Sequence, residues 1–274
     1  MEMKKIATEK FIISRNDNFM EGWPDMIKTQ SGKLICVYNE CVSHPNRDHT
    51  WIAMRYSLDN GKTWSEPRHI DVETMHGNHW NSIRISQVKS GRIFLVCDRV
   101  EEDERTNKTQ MVFWTSDDDG VNWSQGYKPG IYGFCSDKVR ELKDGSLLML
   151  ISAHNHQNEN CDIFAHKSYD GGKTWSDRIV VASSDEYYLI EPAAMEMSDG
   201  TLVAFIRENS HTNKDCMRSI SKDGGLTWDG IYPFAIPCCH RPSVSRLSNG
   251  NILLTYRHQE SGVKRITSDQ GRLL

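Results

Sequence analysis

The 274-residue chain lacks most of the features that assign a protein to a class at a glance. Basic charge is not in excess. Lys and Arg number 33 against 37 Asp and Glu, for a formal net charge of −4, so the footprint of a nucleic-acid-binding surface is missing. Hydrophobic residues make up 38% of the chain, and no apolar run approaches the roughly 20 residues that cross a bilayer. Met1 to Lys10 carries charge with no apolar stretch behind it, unlike a secretory signal, and the expectation is a cytoplasmic protein with no membrane partner. A cysteine framework is also lacking. The eight cysteines are irregularly spaced, with Cys238 and Cys239 adjacent, which suits neither a disulfide scaffold nor a zinc ribbon. Cys36 and Cys97 lie in apolar runs, where a reduced thiol acts as a small core hydrophobe.

What the chain does have is a repeat. Ser57-Leu-Asp-Asn-Gly-Lys-Thr-Trp64 recurs as Ser116-Asp-Asp-Asp-Gly-Val-Asn-Trp123, Ser168-Tyr-Asp-Gly-Gly-Lys-Thr-Trp175 and Ser221-Lys-Asp-Gly-Gly-Leu-Thr-Trp228, with a partial copy at Thr267–Gly271. The aspartates at 59, 118, 170, 223 and 269 are 59, 52, 53 and 46 residues apart, the size of a propeller blade. The chemistry is that of a turn. Ser and Asp accept backbone N–H groups, Gly supplies a positive φ, and Trp offers a large apolar face. Upstream of each box lies a strand, a glycine turn (Gly32, Gly91, Gly145, Gly200, Gly250) and an apolar strand, which reads as a β-hairpin. Hairpin, third strand, box and fourth strand make one four-stranded blade.

The S-x-D-x-G-x-T-W pattern resembles the Asp box (BNR repeat) of sialidases and their relatives. The resemblance implies an all-β fold: one sialidase-like β-propeller domain over residues 1–274. Five hairpins favour five blades, with a truncated six-bladed ring as the alternative. Residues 5–13 read as a spare strand that would complete the last blade and remove an exposed edge.

Counting from the turn glycines finds the residues that share the mouth of such a ring. Nine positions before each glycine stand Trp23, Ser82, Ser136, Glu191 and Arg241. Seven and eight positions after it come Asn39 and Glu40, Asp98 and Arg99, Ser152 and Ala153, Arg207 and Glu208, Arg257 and His258. Mixed carboxylates, guanidiniums and histidine at one mouth are what a polar small-molecule site requires. Glu191-Pro to Arg207 is similar to the sialidase segment in which a catalytic Glu precedes a carboxylate-binding Arg. By that similarity Glu191 activates the nucleophile and Arg207 grips an acidic substrate. Asp48, in the loop Val42–His49, matches by position the family's acid/base Asp. Where the family opens with an Arg-x-Pro segment, this chain has Gly22-Trp-Pro-Asp25, so that arginine is absent. Arg241, in His240-Arg-Pro-Ser243, has a similar local frame and with Arg207 and Arg257 would rebuild a clamp. Asp25, Glu40, Asp98, Arg99, His154 and His258 are the remaining rim candidates.

Tyr132, Tyr187, Tyr188 and Tyr256 are all open as nucleophile. His154, His156, His76, His79, His240 and His258 raise metal binding, but no tight ligand spacing supports it. Hydrogen bonding to sugar hydroxyls is the preferred use, with no metal or cofactor. The resulting expectation is an exo-acting glycoside hydrolase removing a terminal, acidic sugar. A uronate-directed polysaccharide lyase and a non-catalytic carbohydrate- or protein-binding propeller are the alternatives.

Overall fold

The computed structural model describes residues 12–259 apart from 45, 48, 74–75, 102–107 and 156–159. Among the described residues every regular element is a β-strand. Blade one is β1 (Met20–Lys28), β2 (Leu34–Cys41), β3 (Thr50–Ser57) and β4 (Arg68–Glu73), paired in that order. Blade two is β5 (Asn78–Gln87), β6 (Ile93–Glu101) and β7 (Gln110–Ser116), with Tyr127 and Tyr132 bridging to Phe113 and Gln110 along its outer edge. Blade three comprises β8 (Arg140–Glu141), β9 (Leu147–His154), β10 (Cys161–Ser168) and β11 (Ile179–Ala182). Blade four comprises β12 (Leu189–Glu196), β13 (Leu202–Glu208), β14 (Asp215–Ser221) and β15 (Tyr232–Pro237). A hairpin follows, β16 (Cys239–Arg246) with β17 (Ile252–His258). Innermost strands pack on the neighbouring blade, β1 on β5, β9 on β12 and β12 on β16, so four blades stand in a propeller arrangement. Residues 1–11 and the partial box at Thr267–Gly271 lie outside the described residues.

Blades are apolar on both faces because each is sandwiched between neighbours. Ile35, Val37, Ile52 and Met54 of blade one meet Ile83, Ile85, Leu95 and Trp114 of blade two. Similar cores join blades two and three, three and four, and four and the hairpin. The box tryptophans Trp123, Trp175 and Trp228 pack against these cores. The eight cysteines are free thiols, and all but Cys135 are buried.

Each Asp box forms the same turn. Ser57 Oγ donates to Asp59 Oδ1 (2.7 Å) and accepts from Gly61 N–H (2.8 Å), while Thr63 donates its N–H and hydroxyl to the same carboxylate. Asp118, Asp170 and Asp223 repeat the arrangement. These donors hold all four carboxyls below the usual range, Asp118 at about 2.

At the other end of the blades the innermost strands share a distortion. Trp23, Ser82, Cys135, Glu191 and Arg241 have φ of 52°, 56°, 50°, 52° and 53°. Non-glycine residues in this left-handed region cost about 1–2 kcal/mol each. In β1, β5, β12 and β16 the residue sits in a β-bulge, where the register shifts. Proline follows it three times (Pro24, Pro192, Pro242), at a ladder gap where no N–H is needed. Neighbouring blades hold the bulges. Asn39 Oδ1 accepts Ile83 N–H (3.4 Å), Ser152 Oγ accepts Glu191 N–H (3.0 Å), and Glu191 Oε2 accepts Arg241 N–H (3.0 Å).

A second device latches the blades at their hairpin turns. Gln87, Glu141 and Glu196 accept the backbone N–H of Gln30, Lys89 and Lys143 on the preceding blade. In return the side chains of Gln30, Lys89 and Lys143 donate to the carbonyls of Val88, Leu142 and Met197. At the next junction the acceptor position is Arg246, which instead donates to Glu196 O (2.6 Å).

Two predictions follow from this geometry. A Cβ on Gly133 (φ 141°) would lie 2.4 Å from Ser152 O, whereas one on Gly145 (φ 83°) meets nothing within 4 Å. Gly133→Ala should therefore destabilise by about 2–4 kcal/mol and Gly145→Ala by about 1 in urea unfolding; equal costs would contradict the close approach. Stability contributed by the Asp118 carboxylate is fully present above about pH 4 and is lost as the pH falls through about 2. Carboxyl-carbon NMR titration reads this directly, and a midpoint near 4 would contradict it.

Candidate active site

The left-handed bulge residues turn one side chain per blade toward the central axis at the end opposite the hairpin turns. Below them the axis is plugged by blade three. Lys138 Nζ bonds Asp25 Oδ1 of blade one (2.8 Å), and Arg140 Nη1 bonds Val244 O of the hairpin (3.1 Å). Arg140 is itself held by Asp137 through two bonds of 3.0 Å. The mouth is thus a cup with a polar floor.

Glu191 is the centre of one wall of the cup. Its Oε2 accepts Arg207 Nη1 (2.8 Å) and the Arg241 backbone N–H (3.0 Å), and its Oε1 lies 3.9 Å from Arg241 Nη1. Arg207 Nη2 donates to Asn209 Oδ1 (2.5 Å). Three guanidinium nitrogens, Arg207 Nε and Arg241 Nη1 and Nη2, are buried with no hydrogen-bond acceptor among the described residues. Burying N–H donors in this way is unfavourable by about 1–3 kcal/mol per group unless something accepts them. One carboxylate faces two guanidiniums, so this wall of the cup carries net positive charge.

The other rim candidates divide by position. Arg257 is exposed on β17 and pairs in register with His240, the residue before Arg241, with its Nη2 3.4 Å from His240 Nδ1. Asp25 lies in the floor rather than at the rim, spanned by Lys138 and accepting Ile85 N–H (3.0 Å) through Oδ2. Glu40 pairs with His69 (2.8 Å), in register with Trp51 and facing away from blade two. Arg99 bonds Glu73 of blade one (2.6 Å) and also Glu101, so it staples two blades. Asp98 is fully buried and holds Asn81 Nδ2 (2.8 Å). His154 stacks on Phe134 at 4.8 Å and approaches Cys161 Sγ at 3.2 Å. His258 lies edge-on to Tyr256. Asp48 and His156 are outside the described residues. Glu191, Arg207 and Arg241 therefore converge, with Arg257 adjacent, while Glu40 and Arg99 point elsewhere. Tyr132, among the possible nucleophiles, bridges to Gln110 on the outer edge of blade two, away from this wall.

One residue at the mouth, Arg47, escaped the glycine count. Arg47 Nη1 bonds Asn81 Oδ1 and meets His79 Nε2, both at 3.2 Å, and its guanidinium lies 5.0 Å from the Trp23 ring, beside His44. Its Nε donates to His44 O (2.9 Å), which fixes the loop below it. Trp23 shared the register of the bulge residues and was readable from it; Arg47 sits in a loop with no repeat to align. In blade three the left-handed position is Cys135, one residue earlier than the Ser136 expected, and the Cys135 thiol lies 3.3 Å from Ser82 Oγ.

Comparison with known proteins agrees with this architecture. A sialidase of Bacteroides fragilis is 25% identical over 262 residues, 91% of this chain but 42% of that protein, so the chain spans less than half its length. A protein of unknown function from Dyadobacter fermentans superposes with a TM-score of 0.75 at 22% identity, covering 89% of this chain and 77% of that one. The Hadza microbial sialidase Hz136 superposes at 0.72 with 20% identity, covering 92% and 57%. The BNR repeat-like domain pattern matches residues 4–187 and 131–273, and on that match the chain belongs to the BNR repeat-like family and carries its sialidase-like β-propeller.

Proposed function

We propose that the protein is an exo-acting glycoside hydrolase that removes a terminal, acidic sugar from an oligosaccharide. The observation that carries this reading is the Glu191 carboxylate fixed between Arg207 and Arg241, with three buried guanidinium nitrogens whose N–H groups have no acceptor among the described residues. An anionic group on the substrate would satisfy those donors through short, charge-assisted bonds. Glu191 then stands beside the gripped group as the base that activates the nucleophile. The floor salt bridge of Lys138 and the Arg140 hydrogen bond to Val244 O cross the cup below, which suits binding of a chain end rather than an internal segment. In this reading the acid is Asp48, the family's acid/base position by resemblance; it follows Arg47, whose guanidinium lies over the Trp23 ring at the mouth.

The same reading favours a five-bladed ring closed by the N-terminal segment. Ile13 packs with Cys36, Tyr38, Ala53 and Trp64 on the face of blade one turned away from blade two. Ser14 Oγ is held there by Arg55 Nε (3.0 Å), Tyr38 and Glu21. Ile13 and Ser14 thus lie on the face of blade one that a closing blade would cover.

Incubation with a panel of aryl glycosides that includes sialosides and uronides tests the activity. Turnover should appear on an acidic member, and Glu191→Gln should lower it by about 10²–10⁴ with little change in Tm, because glutamine keeps an acceptor for Arg241 N–H. Arg241→Gln should raise KM about 10- to 100-fold for the acidic sugar. Products absorbing in the ultraviolet would indicate a lyase instead. No turnover on any member, with ligand binding unchanged in Glu191→Gln, would remove the enzymatic reading.

A further inference from the structure

The strands that form the cup at one end form a second concavity at the other. A cavity of about 1020 Å³ opens at the hairpin-turn end of the axis, lined from all four blades and the hairpin. Glu191 in the cup and Glu196 in this well are five residues apart on β12, about 16 Å at the rise of an extended strand. The Lys138–Asp25 and Arg140–Val244 bonds cross the axis between the two.

Charge distinguishes the well. Six cations line it (Lys28, Lys89, Lys138, Arg140, Lys143, Arg246) against two carboxylates, Glu141 and Glu196, in a chain whose net charge is −4. Asp25 and Asp137 neutralise Lys138 and Arg140 from behind, and Glu141 lies 3.6 Å from Lys89. The remaining three meet neutral oxygens and share the well with one further carboxylate, Glu196, so six cations face four carboxylates and two positive charges are left over. Lys28 Nζ donates to Asn60 Oδ1, Lys143 Nζ to Met197 O and Ser198 O, and Arg246 to Gly250 O and Glu196 O. Amide oxygens satisfy hydrogen bonds without cancelling charge, and low-dielectric walls concentrate the uncompensated field in a cleft. The well also holds an orphan. Ser86, 9% exposed and part of the lining, has its hydroxyl buried with no hydrogen-bond partner among the described residues.

We propose that this well is a second ligand site, for a small polyanion carrying two or more tetrahedral oxyanion groups, as phosphate or sulfate esters. Arg246 and Lys28 contribute charge from opposite sides of the junction between the hairpin and blade one. Lys143 contributes it from blade three, and the Ser86 hydroxyl donates from blade two. The volume falls at the upper end of the range of small-ligand sites, roughly 300–1,000 Å³. The site is independent of the hydrolase reading.

The test is isothermal titration of the full chain with inorganic pyrophosphate, and separately with inorganic sulfate and with sulfated and phosphorylated disaccharides. Saturable one-to-one binding of pyrophosphate that weakens as salt rises is expected. Arg246→Gln and Lys28→Gln should each weaken it about tenfold or more, Ser86→Ala less, and Glu191→Gln not at all. Tighter binding of one disaccharide class assigns the ester. If Arg246→Gln perturbs folding, Lys28→Gln carries the test, since its side chain is exposed. Absence of binding at millimolar pyrophosphate, or binding that the Lys28 and Arg246 variants leave intact, would overturn the proposal, and so would binding abolished by Glu191→Gln.

Discussion

The cup depends on a left-handed residue at the same place in four innermost strands, with a fifth, Cys135, in the segment before β8. An undistorted strand alternates its side chains between two faces, and both faces of a propeller blade are committed to the neighbouring cores. A bulge breaks that alternation and turns one side chain toward the axis. Trp23, Ser82, Glu191 and Arg241 are delivered in this way, and Cys135 takes the same φ outside a strand. At about 1–2 kcal/mol each the five distortions together approach the net stability of a whole domain. At three of them the neighbouring blade answers an opened N–H, as Asn39 does for Ile83, Ser152 for Glu191 and Glu191 for Arg241. Strain, inter-blade bonding and site geometry are therefore one arrangement.

Glu191 has a double part in it. The carboxylate supports the bulge of the adjacent hairpin and also faces Arg207, so its position is fixed from both sides before any ligand arrives. Preorganisation of this kind lets a site act on a reacting group without first reorganising. The buried, unanswered N–H groups of Arg207 and Arg241 are the complementary half, since they hold binding energy in reserve for an acceptor of negative charge. Opposite this wall, Arg47 on Trp23 presents a further guanidinium from a loop tied to blade two through Asn81.

Much of the fold was legible in the sequence because the Asp box is local. Ser57, Asp59, Gly61 and Thr63 satisfy one another within seven residues, so the motif specifies its turn without reference to the rest of the chain. Hairpin glycines gave the register of the rim for the same reason, and the proline after Trp23, Glu191 and Arg241 marks the bulge in the sequence itself. Side-chain direction was not legible where the count landed on strands next to the innermost ones. Glu40 and Arg99 share the rim's height, yet they face His69 and Glu73 rather than the cup. Cys135 displaced Ser136 by a single residue, because β8 is only two residues long and the strand enters through isolated bridges. The blade-to-blade latches of Gln87, Glu141 and Glu196 recur four residues before a turn glycine, but their partners lie a blade away in sequence, and the reach of Arg47 has no repeat to align.

The central claim is that the wall formed by Glu191, Arg207 and Arg241 recognises negative charge on a terminal sugar. Calorimetric titration of the protein with an acidic monosaccharide and with the neutral methyl ester of the same sugar tests it most directly. The account predicts binding of the acid and at least tenfold weaker binding of the ester; equal affinity for the two would contradict it.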